Sequence, residues 1–272
     1  MTLAQRMQPF LEVGPQFTQP VAGVLTDIDD TLTRDGAIEP EALEALHRLH
    51  AAGVPVIAIT GRPSGWSEPF ARDWPLWAIV AENGSLLLSG RGGGLHKRHV
   101  QSAAVREANF QHLQAVLGAI EHEVPGAQRA QDSAGRETDI AIDHSEFAHL
   151  DPSQIELVVG RMRAAGLTAT VSSIHINGWI GDHNKWTGAL WAVEELLGRD
   201  LTQELDQWVY VGDSTNDQVM FQHMPLTVGV ANIHRFASQL VHQPRWVTRG
   251  ERGVGFAEVA EQVLASRGLP QG

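Results

Sequence analysis

Two carboxylates, Asp27 and Asp29, close an apolar run, and a hydroxyl follows at Thr31 in Val24-Leu25-Thr26-Asp27-Ile28-Asp29-Asp30-Thr31-Leu32. Alternation along an extended chain puts Asp27 and Asp29 on the same side, near enough to share one metal ion and one substrate. Carboxylates so placed suit phosphoryl transfer: one can attack phosphorus while the other shuttles a proton. A second apolar run ends in Gly212-Asp213-Ser214-Thr215-Asn216-Asp217. Mg²⁺ prefers oxygen and takes only one or two protein carboxylates beside water and phosphate, a pair that Asp27 and Asp213 could supply. A third run, 56–59, ends in Thr60-Gly61-Arg62-Pro63, where Thr60 and the N–H groups after it could cradle a phosphate. Lys185 is one of only two lysines among 20 basic residues, and lysine differs from arginine where a compact point charge is wanted. Each string taken alone also fits a plainer reading. The acids could cap helices after ordinary strand-to-helix turns, Arg62 could be a surface charge, and a surviving lysine could be chance.

The elements that must position these groups are legible around them. Val21–Leu25 suits a buried parallel strand, which puts the acids at its carboxyl end, where open α/β sheets place their ligands. Residues 39–53 have helical spacing, with Pro40 near the start and Gly53 at the end, so strand, helix and strand form a βαβ unit. A short run, 77–80, leads into Ala81-Glu82-Asn83-Gly84, a turn signal. Beyond it the character changes. Residues 89–99 form a glycine- and base-rich loop that either stays flexible or closes on an anion. Helices are predicted over 102–122 and 152–165, and strands over 138–143, 168–172 and 174–180. On the last of these His175, Asn177 and Trp179 alternate, facing either a bound ligand or solvent. The α/β rhythm then returns, with helices over 187–197, 215–223, 234–240 and 254–265. Strands are expected over 208–212 and 226–230, with a short edge strand at 246–248. The expected fold is α/β: a Rossmann-like parallel-sheet core, residues 1–85 and 181–272, with an inserted α+β cap domain at 86–180. Connectors near Gly84–Leu86 and Ile180–Asn184 would let that cap move.

Composition narrows the function classes. The formal net charge of −12 argues against a standing nucleic-acid partner but not against a small phosphate ester, because a metal and a lysine reverse the field locally. The absence of cysteine removes disulfides, thiol nucleophiles and thiolate metal sites. No apolar run approaches the ~20 residues of a membrane span. Residues 1–20, with scattered Phe10, Leu11 and Phe17, lack the pattern of a signal peptide, so a cytoplasmic location and no membrane partner are expected. Nothing in the composition reads out an oligomeric state.

Together the four motifs, in this order, resemble the haloacid dehalogenase superfamily of phosphohydrolases over roughly residues 20–260. A large cap between the Thr60 and Lys185 motifs is similar to subfamily IIB, which includes sugar-phosphate phosphatases, Cof-like phosphatases and phosphomannomutases. One departure is Asp30, where many members have glycine. The resemblance implies Asp27 as the nucleophile, Asp29 as the acid and base, and Thr60 and Lys185 as ligands of the phosphoryl oxygens. It implies Mg²⁺ held by Asp27, Asp213 and the backbone carbonyl of Asp29, with Asp217 in the metal group and orienting Lys185. Gly61, Arg62, Asn83 and Asn184 are candidate substrate contacts. The implied activity is Mg²⁺-dependent hydrolysis of a small phosphate monoester, such as a sugar phosphate, with a phosphomutase or a non-catalytic metabolite-binding protein as alternatives.

Overall fold

The computed structural model describes residues 7–10, 17–90 and 92–269. Leu11, most of residues 1–16 and Arg91 of the glycine-rich loop lie outside the described residues. Along the chain come β1 (Gln8–Pro9), β2 (Gly23–Thr26), a small hairpin β3 (Thr33–Arg34) and β4 (Ala37–Ile38), then α1 (Pro40–Ala51), β5 (Val56–Ile59), α2 (Ser64–Asp73) and β6 (Ala78–Ala81). Next are β7 (Leu86–Ser89), β8 (His96–His99), α3 (Ala103–Glu123), β9 (Gln128–Arg129), β10 (Asp139–Asp143), α4 (Pro152–Ala164), β11 (Thr168–Val171) and β12 (His175–Trp179). The chain finishes with α5 (Lys185–Leu197), β13 (Trp208–Gly212), α6 (Gln218–His223), β14 (Thr227–Gly229), β15 (Trp246–Val247) and α7 (Arg252–Ser266).

Among the described residues one sheet has the strand order β1-β15-β14-β13-β2-β5-β6-β7-β8, parallel from β1 to β6 and antiparallel at β7 and β8. The expected α/β class holds. Strands β2, β5, β6 and β13 are buried at every position, as their apolar runs require of a sheet covered on both faces. Helices α1, α2 and α7 pack on one face around Leu46, Leu49, Phe256 and Val259. Helices α5 and α6 pack on the other around Ala189, Val193 and Met220. The chain leaves β2 through α1 to β5 on one side, while β13 lies on the other side. The carboxyl end of β2 is therefore a switch point of the sheet, where a ligand crevice opens.

A second sheet, β11-β12-β10-β9, packs against α3 and α4 around Leu117, Ile142, Val158, Met162 and Ile176. Its elements fall within the 86–180 span expected for an inserted α+β cap, but residues 86–99 at the start of that span belong to the first sheet. Strands β7 and β8 continue the core sheet, Leu86 pairing with His99 and Ser89 with His96. The apolar Leu86, Leu87 and Leu88 are buried there, which draws the glycine-rich stretch into a hairpin on the sheet edge. Lys97 within it is bound by Glu68 at 2.7 Å and Glu137 at 2.6 Å. The two connectors touch: a Cβ at Gly84, φ +109°, would meet the Asn184 carbonyl oxygen at 2.2 Å. Smaller differences have local causes. The turn at 231–236 is a 3-10 helix in place of a helix over 234–240. Strand β15 is flanked by β1 and is not an edge. Helix α2 went unpredicted because Gly65 and Pro69 depress its propensity. A ladder of Trp66, Phe70 and Trp74, with ring centroids 4.4 and 4.5 Å apart, holds it together.

Candidate active site

Register places the chemistry. Val211 of β13 pairs with Thr26 of β2, and Thr26 with Ala58 of β5, so Asp27 has Asp213 on one side and Thr60 on the other, all past the carboxyl ends of adjacent strands. The Asp27 N–H donates to the Val211 carbonyl at 2.9 Å, and its Oδ1 accepts the Ile28 N–H at 2.8 Å, which fixes the carboxylate with Oδ2 turned to Lys185. Lys185, the first residue of α5, is only 2% exposed. Its ammonium lies 2.9 Å from Asp27 and 2.7 Å from Asp217. Carboxylate oxygens of Asp27, Asp213 and Asp217 lie within 4.8 Å of one another and form a group able to hold a metal ion.

The electrostatics favour a cation there. Burial pushes the Asp27 carboxyl up to about 8 against the pull of Lys185, with Asp217 and Asp29 adding repulsion. Burial, then the charges of Asp217 and Asp27, push Asp213 well above the usual carboxylate range. Asp213 Oδ2 accepts from the Asn232 amide at 3.1 Å, while its Oδ1 is buried without a partner. An orphaned carboxylate oxygen among three acids and one ammonium is what a bound divalent cation satisfies. Asp217 is different. Its Oδ1 takes the Lys185 ammonium and the Tyr210 hydroxyl, and its Oδ2 takes the N–H groups of Asp213 at 2.9 Å and Ser214 at 3.0 Å. With four donors on it, Asp217 fits the expectation of orienting Lys185 better than that of a metal ligand.

Thr60 is fully buried, and its Oγ1 accepts the Arg62 N–H at 3.0 Å, which leaves the hydroxyl proton free to donate. Asn83 lies beside this turn, its N–H on the Thr60 carbonyl at 3.0 Å and its amide 3.4 Å from Asp139. Arg62 is neither a surface charge nor an open anion ligand. It is 4% exposed, stacks over Trp66 at 5.0 Å, and pairs with Asp29 at 2.9 Å, Asp132 at 3.2 Å and Glu146 at 2.7 Å. Asp29 therefore stands apart from the metal group, joined to a guanidinium that bridges core and insert. It opens on a cavity of about 500 Å³, lined also by Asp30, Arg62, Glu146, Phe147 and Ser173.

Asn184 is the N-cap of α5. Its Oδ1 accepts the N–H groups of Trp186 at 2.9 Å and Thr187 at 3.0 Å, so the side chain expected to meet substrate is engaged by the helix it starts. His175, Asn177 and Trp179 do share a face, but it is buried and not solvated. His175 bonds Glu146 at 3.0 Å, Asn177 the Gly61 carbonyl at 3.3 Å, and Trp179 the His183 carbonyl at 2.9 Å. Asp30 has φ +54°, a left-handed backbone that explains why glycine is common at that position. Here Arg252 holds the Asp30 carboxylate at 2.7 Å. Sequence reasoning passed over Asn232, whose amide joins Asp213 to the Asp30 carbonyl at 2.9 Å and whose oxygen accepts the Arg252 N–H at 3.0 Å. Ala231-Asn232, just past an apolar strand end, was the available signal.

Residues 24–115 match the model of the haloacid dehalogenase-like hydrolase family. No curated protein matches the chain. Among solved structures, protein 0175 of Thermoplasma acidophilum is similar at 17% identity and a TM-score of 0.69, over 89% of this chain and 98% of that one. The sucrose-phosphatase of Synechocystis sp. PCC6803, solved with sucrose and phosphate, is similar at 16% identity and 0.62, over 90% and 98%. A haloacid dehalogenase-like hydrolase from B. subtilis is similar at 16% identity and 0.59, over 87% and 98%. At these identities the structural likeness concerns the fold. Residues 24–115 thus carry the sequence pattern of the haloacid dehalogenase-like hydrolase family, and the chain shares the fold of these structures, with its four motifs gathered at one end of one sheet.

Proposed function

We propose that the protein is a Mg²⁺-dependent phosphatase that hydrolyses the phosphate monoester of a neutral polyhydroxyl compound, a sugar phosphate, through an aspartyl-phosphate on Asp27. The observation that carries this reading is a buried Asp27 with its Oδ2 at 2.9 Å from Lys185, beside an unpartnered Asp213 Oδ1. Asp27 and Asp213 would hold Mg²⁺, which when bound neutralises charge on the phosphoryl group and on the two acids. Asp27 Oδ2 attacks phosphorus, the phosphorus–ester oxygen bond breaks, and Asp29 gives its proton to the departing alkoxide. Asp29, then ionised, takes a proton from the water that cleaves the acyl phosphate. Arg62 against Asp29 holds that carboxylate at the cavity wall. Lys185 and the Thr60 hydroxyl bind the phosphoryl oxygens, and because little covalent help is available in this chemistry, their placement carries much of the rate.

The leaving group follows from the charges of the cavity. Its bases are already matched: Arg62 by Asp29 and Glu146, Arg252 by Asp30 and Glu251, Arg235 by Glu251. A second phosphate or carboxylate on the substrate would face Asp29, Asp30, Asp35 and Glu146 without a spare cation. A polyol finds carboxylate acceptors and Phe147, 65% exposed, as an apolar platform. The likeness to a sucrose-phosphatase supports the same class. Phosphate release from a panel of phosphorylated metabolites with Mg²⁺ tests this. Hexose monophosphates should be turned over in preference to bisphosphates and phosphorylated acids. Preference for a doubly anionic ester would refute the leaving-group assignment, and no release from any ester would refute the phosphatase.

A further inference from the structure

Each carbonyl of the turn Thr60-Gly61-Arg62 accepts from a fixed donor. Thr60 takes the Asn83 N–H and Arg62 the Glu82 N–H, both at 3.0 Å. The middle carbonyl, Gly61, is gripped from the insert by the Arg136 guanidinium at 3.0 Å and the Asn177 amide at 3.3 Å. Both residues are buried, and Asp139 fixes both, accepting from Arg136 at 2.8 and 2.9 Å and from Asn177 at 3.1 Å. The donors from the core are as firmly set. Glu82, Asn83 and Gly84 have φ of +47°, +57° and +109°, a strained run that persists only where its surroundings determine it. The Glu82 carboxylate does so, accepting the N–H groups of Ser64 and Glu137 at 3.0 Å and Thr138 at 2.6 Å.

The Gly61 carbonyl and the Arg62 N–H belong to one peptide plane. The oxygen end is held by the insert, and the N–H end donates to Thr60 Oγ1 at 3.0 Å. That donation decides the polarity of the hydroxyl: with a lone pair engaged, its proton must be given elsewhere. A flip of this plane, which a glycine permits, would point the Gly61 carbonyl the other way and withdraw the Arg62 N–H from Thr60.

We infer that Arg136 and Asn177 are positioning residues for phosphate binding, holding the Gly61–Arg62 peptide so that the Thr60 hydroxyl donates to the phosphoryl oxygens. This rests on the phosphatase reading above. It makes the insert part of the phosphate site as well as its wall.

The probe is inorganic phosphate, measured with Mg²⁺ as a competitive inhibitor of para-nitrophenyl phosphate turnover. The proteins are the full chain and its Asn177→Ala, Arg136→Lys and Thr60→Val variants. Asn177→Ala leaves the Arg136–Asp139 pair in place, so it decides the matter even if Arg136→Lys does not fold. The phosphate inhibition constant should rise about 5- to 10-fold in Asn177→Ala, as for the loss of one hydrogen bond. The loss in kcat/KM should be the same for aryl phosphates of different leaving group. In the Thr60→Val background the Asn177→Ala change should have no further effect, because the hydroxyl it orients is gone. A folded Asn177→Ala variant with an unchanged inhibition constant, or an effect undiminished in Thr60→Val, would overturn the inference while leaving the phosphatase standing. A wild-type chain that neither turns over the ester nor binds phosphate would overturn both.

Discussion

Replacing Lys185 by methionine keeps the length of the side chain and removes its charge. The ammonium it removes is the only cation in direct contact with Asp27, at 2.9 Å, and Asp217, at 2.7 Å, among the described residues, and all three groups are buried. Breaking a buried ion pair by removing one partner costs about 3–5 kcal/mol, since the other charge stays behind without compensation. For a chain of this size that corresponds to a fall in melting temperature of roughly 6–20 °C. The carboxylates can relieve part of the cost by taking up protons. Burial already pushes Asp27 up to about 8 with Lys185 in place, and loss of the ammonium raises it further, so the deficit of the variant should grow as the pH rises through 8 and level off below it. Turnover should fall by roughly 10²–10³, the usual effect of losing one preorganised electrostatic contact to the transition state. The assay is a thermal melt of wild type and variant after exhaustive chelation, at several pH values, alongside steady-state turnover of an aryl phosphate with Mg²⁺. A melting temperature within about 2 °C of wild type at pH 8, together with turnover within ten-fold, would show that Lys185 neither balances these acids nor binds the phosphoryl group.

Asp213→Asn should raise the Mg²⁺ concentration needed for half-maximal turnover by about ten-fold or more, and chelation should silence the wild type reversibly; an unchanged Mg²⁺ curve would remove Asp213 from the metal site. Burial pushes Glu146 up, but hydrogen bonds from His175 and Arg62 outweigh it and hold the carboxyl at about 2, below its ordinary 4.5. Because the folded value is the lower one, this stabilisation is complete above about pH 4.5 and is lost as the pH falls toward 2. With screening at its partly exposed end, Glu146→Gln should cost about 1–2 kcal/mol in urea unfolding at pH 7, and the gap should close near pH 2–3; a gap constant across that range would contradict the assignment. Asp30→Gly should be close to neutral, since relief of the left-handed backbone at φ +54° offsets loss of the Arg252 pair, whereas Asp30→Ala should cost about 1 kcal/mol more. Equal stabilities of the two variants by urea titration would show that backbone strain at Asp30 is negligible.

The parts of the site that could be read from the sequence are those where an apolar run ends in a chemical group. The strands before Asp27, Thr60 and Asp213 are short, fully buried and uninterrupted, so their ends locate the groups that follow. Lys185 stood out because the chain has so few lysines. What stayed hidden depends on partners distant in sequence. Arg62 finds Asp132 and Glu146 some 70 and 84 positions on, and no local pattern announces a guanidinium shared by three acids. Asn177 shows the same limit: alternation along 175–179 marks a face, but only packing against Gly61 decides that the face is buried in a junction and not turned to solvent. The insert boundary slipped for a related reason. Leu86–Ser89 has the same apolar character whether it starts a new sheet or adds an antiparallel strand to an old one, and the choice is settled by its pairing with β6.

The central claim is that Asp27 becomes covalently phosphorylated. An Asp29→Asn variant tests it most directly, because an activated aryl leaving group needs no acid, while hydrolysis of the acyl phosphate still needs a base. Acid quenching of this variant during turnover of para-nitrophenyl phosphate with Mg²⁺, followed by peptide mass spectrometry, should find a phosphoryl group on the peptide carrying Asp27, approaching one per chain, with a matching burst of nitrophenol. A nitrophenol burst with no phosphoryl group on Asp27, or a phosphoryl group on another residue, would contradict the account.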